Sequence, residues 1–239
     1  MKAERIDKIL SICMGLARSE VKKLIREGCV TFEGKTISDG SFKIPYGCPD
    51  IEVSGSPLDL KEHVYIMLNK PPGVICASDG KGEKTVIDIL PEGYKRRSLF
   101  PAGRLDKDTE GFCLITDDGI FAHKILSPKS HVPKTYLAHL EKPIDIEEAA
   151  ALFAKGLYLG GEQLLPAALR LVSGGDKPLC EIVLNEGKYH QVKLMFSQLG
   201  NTVLELKRTH IGRLKLDETL ASGECRYLTD EELLLITKR

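Results

Sequence analysis

The stretch GRLDKDTEGFCLITDDG, residues 103–119, places five acidic side chains in seventeen positions. Two readings compete for it. Asp106, Asp108, Glu110, Gly111 and Asp117 fall at positions 1, 3, 5, 6 and 12 of a calcium-binding loop, whose alternate oxygens fold round one ion with glycine at the bend. Such a loop needs a helix on either side. The preceding residues RRSLFPAG (96–103) carry Pro101 and Gly103, which break helices. The following Phe-Cys-Leu-Ile-Thr (112–116) is apolar and strand-like. Glu110 is also too long for its place in the loop, and Asp117 too short for bidentate reach. The stretch therefore reads as a loop feeding a strand that ends in an Asp-Gly turn, with no metal, and with one carboxylate available for chemistry.

Strand signals recur outward from this point. VYIMLN (64–69) is an apolar run stopped by Lys70-Pro71-Pro72-Gly73, and PLCEIVLN (178–185) and TVLELKR (202–208) are similar. KTYLAHLEK (134–142) alternates, with Tyr136, Ala138 and Leu140 on one face. Helices fall between these runs. Asp145 and Glu148 form a capping box before Ala149, Ala150, Leu152 and Phe153, and Gly156 closes that helix. HQVKLMFSQLG (190–200) turns Val192, Met195, Phe196 and Leu199 inward and leaves Lys193 off that stripe. Thr229 and Glu232 cap a last short helix. Regular βαβ alternation is missing, so an α+β domain with a largely antiparallel sheet is expected over residues 64–239.

Residues 1–54 read as a separate small α/β unit, joined by a polar linker over 55–63. Ile6, Ile9 and Leu10 have helical spacing. A second helix opens with Ser19 as its cap, turns Val21, Leu24 and Ile25 inward and ends at Gly28. A hairpin turning at Glu33-Gly34-Lys35 follows. Arg18, Lys22 and Arg26 are spaced four apart with Lys23 beside them, a basic stripe opposite the apolar face. By itself that is either a solvated helix face or a surface that tracks phosphates by releasing counterions.

Composition narrows the classes. Basic and acidic residues balance at 34 each, so any attraction for a polyanion must come from a local patch. With 42% hydrophobic residues the chain supports real cores. The seven cysteines show no C-x-x-C pair, which argues against a zinc ribbon and for a reducing, cytoplasmic setting in which most are core hydrophobes. No apolar stretch reaches the roughly 20 residues that span a bilayer.

Two resemblances add to this reading. ERIDKILS, then GLARSEVKKLIREGCVTFEGKTI, resembles the small RNA-binding domain first named from ribosomal protein S-four, on Arg5, Asp7, Lys8, Arg18-Ser19, Gly28, Val30 and Gly34. The Arg-Ser order is inverted and Glu33 stands where asparagine is common. This resemblance implies structured RNA as partner, bound through Arg18, Lys22, Lys23 and Arg26. GRLDKDTEGFCLITDDG resembles the signature of pseudouridine synthases of the ribosomal small-subunit type. MLNKPPGVICA (67–77), SPKSHVPKTYLAHL (127–140) and NEGKYHQVKLMF (185–196) resemble that family's further motifs in order.

The second resemblance implies that Asp106 is the essential carboxylate, Tyr136 the ring that stacks on the target base, Lys193 the cation paired with the carboxylate, and Arg104 a contact near the extruded nucleotide. Lys70 is expected to shape the cleft and touch RNA, with a purely structural role as the alternative, and Asp108, Glu110, Asp117 and Asp118 to play surface and turn roles. The reaction exchanges no electrons and consumes no water, so no cofactor is expected. The expected partner is ribosomal RNA, of the small subunit by preference, free or within a partly assembled particle, with the protein a monomer. Large-subunit RNA is the alternative target, and a non-catalytic RNA-binding assembly factor the alternative class.

Overall fold

The computed structural model describes residues 3–96, 98–127, 130 and 132–237. Arg97 and, in the SPKSHVPKTY motif, Pro128, Lys129 and His131 lie outside the described residues. The chain divides into two compact units, Met1–Val64 with Leu90–Phe100, and Tyr65–Ile89 with Pro101–Arg239.

The first unit runs β1 (Ala3–Arg5), α1 (Ile6–Cys13), α2 (Arg18–Arg26), β2 (Val30–Phe32), β3 (Lys35–Thr36), β4 (Lys43–Pro45), β5 (Ile51–Val53) and β6 (Ser56–Pro57). Its core gathers Ile6, Ile9 and Leu10 from α1, Val21 and Ile25 from α2, and Val30, Ile44 and Ile51 from the strands. Strand β1 pairs with β4, and the others form a sheet of order β3-β2-β5-β6. Glu33 and Gly34 both have positive φ, 50° and 74°, the backbone a two-residue hairpin loop requires.

Ser19 is not the cap of α2. The helix begins one residue earlier with Ala17 at the cap, and the Glu20 carboxylate reaches back to accept from the Ala17 N–H at 2.6 Å. Within the stretch read as a linker, Ser56 and Pro57 pair with β5 and Leu60 is buried in this core. The segment Leu90–Phe100 returns to the same unit, where the Arg96 guanidinium donates to the carbonyls of Lys61 and Glu62.

The second unit is built on strands β7 (Tyr65–Lys70), β9 (Glu110–Thr116), β10 (Lys134–Leu140), β13 (Ala168–Ser173), β14 (Leu179–Leu184), β15 (Val203–Ile211) and β17 (Cys225–Tyr227). β8 (Phe100–Pro101) brings the chain into this unit, β11 (Tyr158–Leu159) pairs with β12 (Glu162–Gln163), and β16 (Leu214–Lys215) pairs with β15. The sheet order is β13-β14-β10-β15-β9-β7-β17. Along this path the β15–β9 contact is parallel, with Arg208 opposite Gly111. A Cβ at Gly111 would stand 2.3 Å from the Arg208 carbonyl oxygen, so only glycine permits this approach. The fold is α+β with a mostly antiparallel sheet.

The helices are α3 (Gly119–Leu126), α4 (Ile146–Lys155), α5 (Gln191–Gln198) and α6 (Asp230–Thr237). Asp118 does not end a simple turn. Its carboxylate accepts from the Phe121 N–H at 2.9 Å and from the Tyr65 hydroxyl at 2.6 Å, capping α3. Phe153 of α4 and Phe196 of α5 meet with ring centroids 5.3 Å apart, fixing the helix that carries Lys193. Of the cysteines, Cys76, Cys113 and Cys180 are buried and the other four are only partly so, fewer in the core than expected.

Candidate active site

Residues 103–109 form the loop that the opening stretch predicts, passing into β9 at Glu110 with no helix before it. Leu105 is buried and anchors the loop, and the Thr109 N–H closes a turn on the Asp106 carbonyl at 3.2 Å. A clamp lies beneath. The Gly73 N–H donates to the Lys107 carbonyl at 2.7 Å. Lys70 Nζ donates to the carbonyls of Pro71 at 3.0 Å, Lys107 at 3.2 Å and Thr109 at 2.8 Å.

Lys70 is 0% exposed, which corrects the expectation that it touches RNA. All three of its donors are taken by backbone oxygens, and burial lowers its pKa. What it does is hold the Asp106 loop down on the Pro-Pro-Gly turn.

Asp106 faces a lysine and a histidine. Lys193 Nζ from α5 stands 3.2 Å from Oδ2, and His190 Nε2 stands 3.5 Å from Oδ1. Lys193 also holds Asp108 at 2.6 Å. Asp108, assigned above to the surface, is exposed but shares the site's cation, and the hydrogen bond from Lys193 keeps its carboxyl below the ordinary range. Burial acts to lower the Lys193 ammonium. Its bonds to Asp108 and Asp106 outweigh that and hold it above its ordinary value.

Tyr136, on β10, is buried and lines one cleft with Asp106, Arg104, His190 and Val192. Its place follows from strand alternation, which sends Lys134, Tyr136, Ala138 and Leu140 to one face. Arg104 is exposed at this cleft and makes no ion pair among the described residues. Three motifs separated by tens of residues thus meet at one carboxylate. That carboxylate is a quarter exposed, paired with Lys193 and His190, and lines the same cleft as the phenol. Among the described residues no group of three or more His, Cys, Asp or Glu could hold a metal ion.

His190 was not singled out by sequence. It caps α5 in the left-handed region, φ 49°, where histidine is more tolerated than most residues. The signal was a polar Glu-Gly-Lys run ending at an aromatic pair just before a helix. Behind the loop lies a layer that sequence also missed. Arg208 is 3% exposed and its Nε donates to the Phe112 carbonyl at 2.7 Å. Buried Lys134 is lowered to about 8 by desolvation, with Arg208 adding to it.

In the first unit, Arg5, Ser19, Lys22, Arg26 and Ser41 line a concave surface. Arg18 instead pairs with Asp7 at 3.5 Å, and Lys23 with Glu27 at 3.8 Å. The basic stripe is therefore divided, with Lys22 and Arg26 facing the concavity. Arg5, read only as part of a motif, joins them.

Residues 64–198 match the family described as RNA pseudouridylate synthase. The chain is 43% identical over 236 residues to "Uncharacterized RNA pseudouridine synthase YtzG" of Bacillus subtilis (strain 168), covering 98% of each chain. It is 43% identical over 237 residues to ribosomal small subunit pseudouridine synthase A of Salmonella typhimurium, covering 96% of this chain and 98% of that one. A solved structure described as a pseudouridylate synthase superposes with a TM-score of 0.66 at 39% identity, covering 98% of this chain and 99% of that one.

Proposed function

The chain belongs to the RNA pseudouridylate synthase family, and we propose that it isomerises one uridine of small-subunit ribosomal RNA with Asp106 as the working carboxylate. The relatives named for the small-subunit reaction support that target, since they align over nearly the whole chain, first unit included. The observation that carries the site assignment is that Asp106 and Tyr136 line one cleft while Lys193 pairs with Asp106 at 3.2 Å.

The reaction breaks the bond from ribose C1′ to uracil N1, turns the base and joins C1′ to C5. The proton on C5 leaves and N1 ends protonated, so atoms balance without oxidant or water. Breaking the glycosidic bond develops positive charge on the sugar or demands a nucleophile, and an ionised carboxylate answers either need. Lys193 at 3.2 Å places a positive charge beside that carboxylate. Tyr136 offers a flat face to a uracil removed from its helix. Arg104, free at the cleft, holds the extruded nucleotide. Lys22, Arg26 and Arg5 give the first unit a phosphate-tracking surface. The protein acts as a monomer in the cytoplasm, on free RNA or on a partly assembled subunit. No helix among the described residues is long and apolar enough to cross a membrane.

The test is a map of pseudouridines in ribosomal RNA from cells with and without the gene. One small-subunit position should be lost on deletion and regained with the wild-type chain. A lost large-subunit position would move the target, and no lost position would refute the reading.

A further inference from the structure

Tyr189 is 80% exposed, an unusual place for a ring of its size. It does not swing freely. Its ring lies flat on His190, with centroids 3.8 Å apart and planes 18° apart. His190 is in turn fixed by its left-handed backbone at the start of α5 and by its contact with Asp106. One face of the tyrosine is thus covered by imidazole and the other is bare. His190 lines the cleft, whereas Tyr189 stands outside that lining, one residue beyond it.

From this we propose that Tyr189, backed by His190, is a stacking platform for an RNA base next to the target uridine. The inference rests on the proposed reaction at Asp106 and adds a binding site to it. Extruding one nucleotide breaks its neighbours' stacking, and a rigid aromatic face beside the cleft replaces it. Any base has a π face, so the platform tolerates sequence and contributes to affinity. Tyr136 is inside the cleft with Asp106, which leaves the outer ring to the flanking base.

The experiment uses the full chain and an in-vitro transcript of small-subunit ribosomal RNA carrying uridine tritiated at C5, with product measured as released tritium. Tyr189→Ala should raise KM roughly tenfold, as loss of one stacked base does, with kcat nearly unchanged. Tyr189→Phe keeps the ring and should match wild type. A Tyr189→Ala enzyme with unaltered KM overturns the platform. So does a Tyr189→Phe enzyme as impaired as Tyr189→Ala, since the hydroxyl would then be the contact. A fall confined to kcat also overturns it, because the ring would then act through His190 on Asp106. If the wild type releases no tritium from the transcript, either alone or assembled with small-subunit ribosomal proteins, the proposed reaction fails, and filter binding of the same transcript at raised salt decides the platform separately. A ring-dependent Kd supports it and a ring-independent one refutes it.

Discussion

Asp7 in the first unit and Asp106 in the second each sit between two basic side chains, yet they are built for opposite ends. Asp7 is 1% exposed and accepts a two-pronged bond from Arg5, Nε at 3.1 Å and Nη2 at 2.9 Å, with Arg18 at 3.5 Å behind. The hydrogen bond from Arg5 is the main reason its pKa lies below the ordinary value. Its oxygens are occupied, so it can only hold structure. Asp106 is a quarter exposed and takes single contacts at 3.2 and 3.5 Å. These contacts leave lone pairs unfilled, and it opens on a cleft. Arginine's planar fork suits the first task and lysine's single ammonium the second. Pairing by itself therefore does not mark a catalytic carboxylate. Unfilled coordination beside an open space does.

Substitutions can break this contrast. Lys193→Met removes the ammonium paired with Asp106, and should lower kcat about 100- to 1,000-fold, the scale of losing one preorganised electrostatic group. A fall of only twofold would mean that the pair is decorative. Asp7→Ala should remove the charge-assisted bonds to two half-exposed arginines and cost the first unit about 1.5–3 kcal/mol, read from its thermal transition, with kcat unaltered. Because the Asp7 pKa is depressed on folding, its contribution is present above the unfolded value of about 4 and lost as pH falls through the folded one. The gap between wild type and Asp7→Ala should therefore close in acid.

A buried charge with no carboxylate beside it gives a third case. Lys134, near 8 in the fold against 10.5 ordinarily, burdens the native state while it is charged. Lys134→Met should gain ~1–3 kcal/mol at neutral pH, and the gain should shrink as pH rises through 8 toward 10.5. A gain constant with pH would assign the effect to packing instead. The smallest effect per residue belongs to the exposed cations. Lys22→Gln with Arg26→Gln should weaken RNA binding and reduce the salt slope by about 1.5, two phosphate contacts' worth. An unchanged slope would remove the concavity from the RNA-binding surface.

What sequence could and could not reveal follows the same division. Elements with a clear period were legible. The alternation of β10, the Asp145 cap of α4 (without the return bond from Glu148) and the Thr229–Glu232 box of α6 stand where their residues place them. The residues that meet at Asp106 were found through motifs, since nothing local connects positions 106, 136 and 193. For Lys70 the structural role holds and the RNA contact does not; a lysine ending an apolar run resembles a strand exit. Its burial depends on carbonyls 37 and 39 residues away. Asp108 was hidden for a related reason: its partner lies 85 residues on, and turn aspartates rarely need one. Asp118 served equally well as turn residue or helix cap, and only the apolar residues after it tip the choice.

The central claim is that Asp106 does chemistry while Asp7 does architecture, and Asp106→Asn tests it most directly. The account predicts that this variant binds small-subunit ribosomal RNA and melts like wild type, yet forms pseudouridine at least about a thousandfold more slowly. A variant that converts uridine at close to the wild-type rate would contradict it.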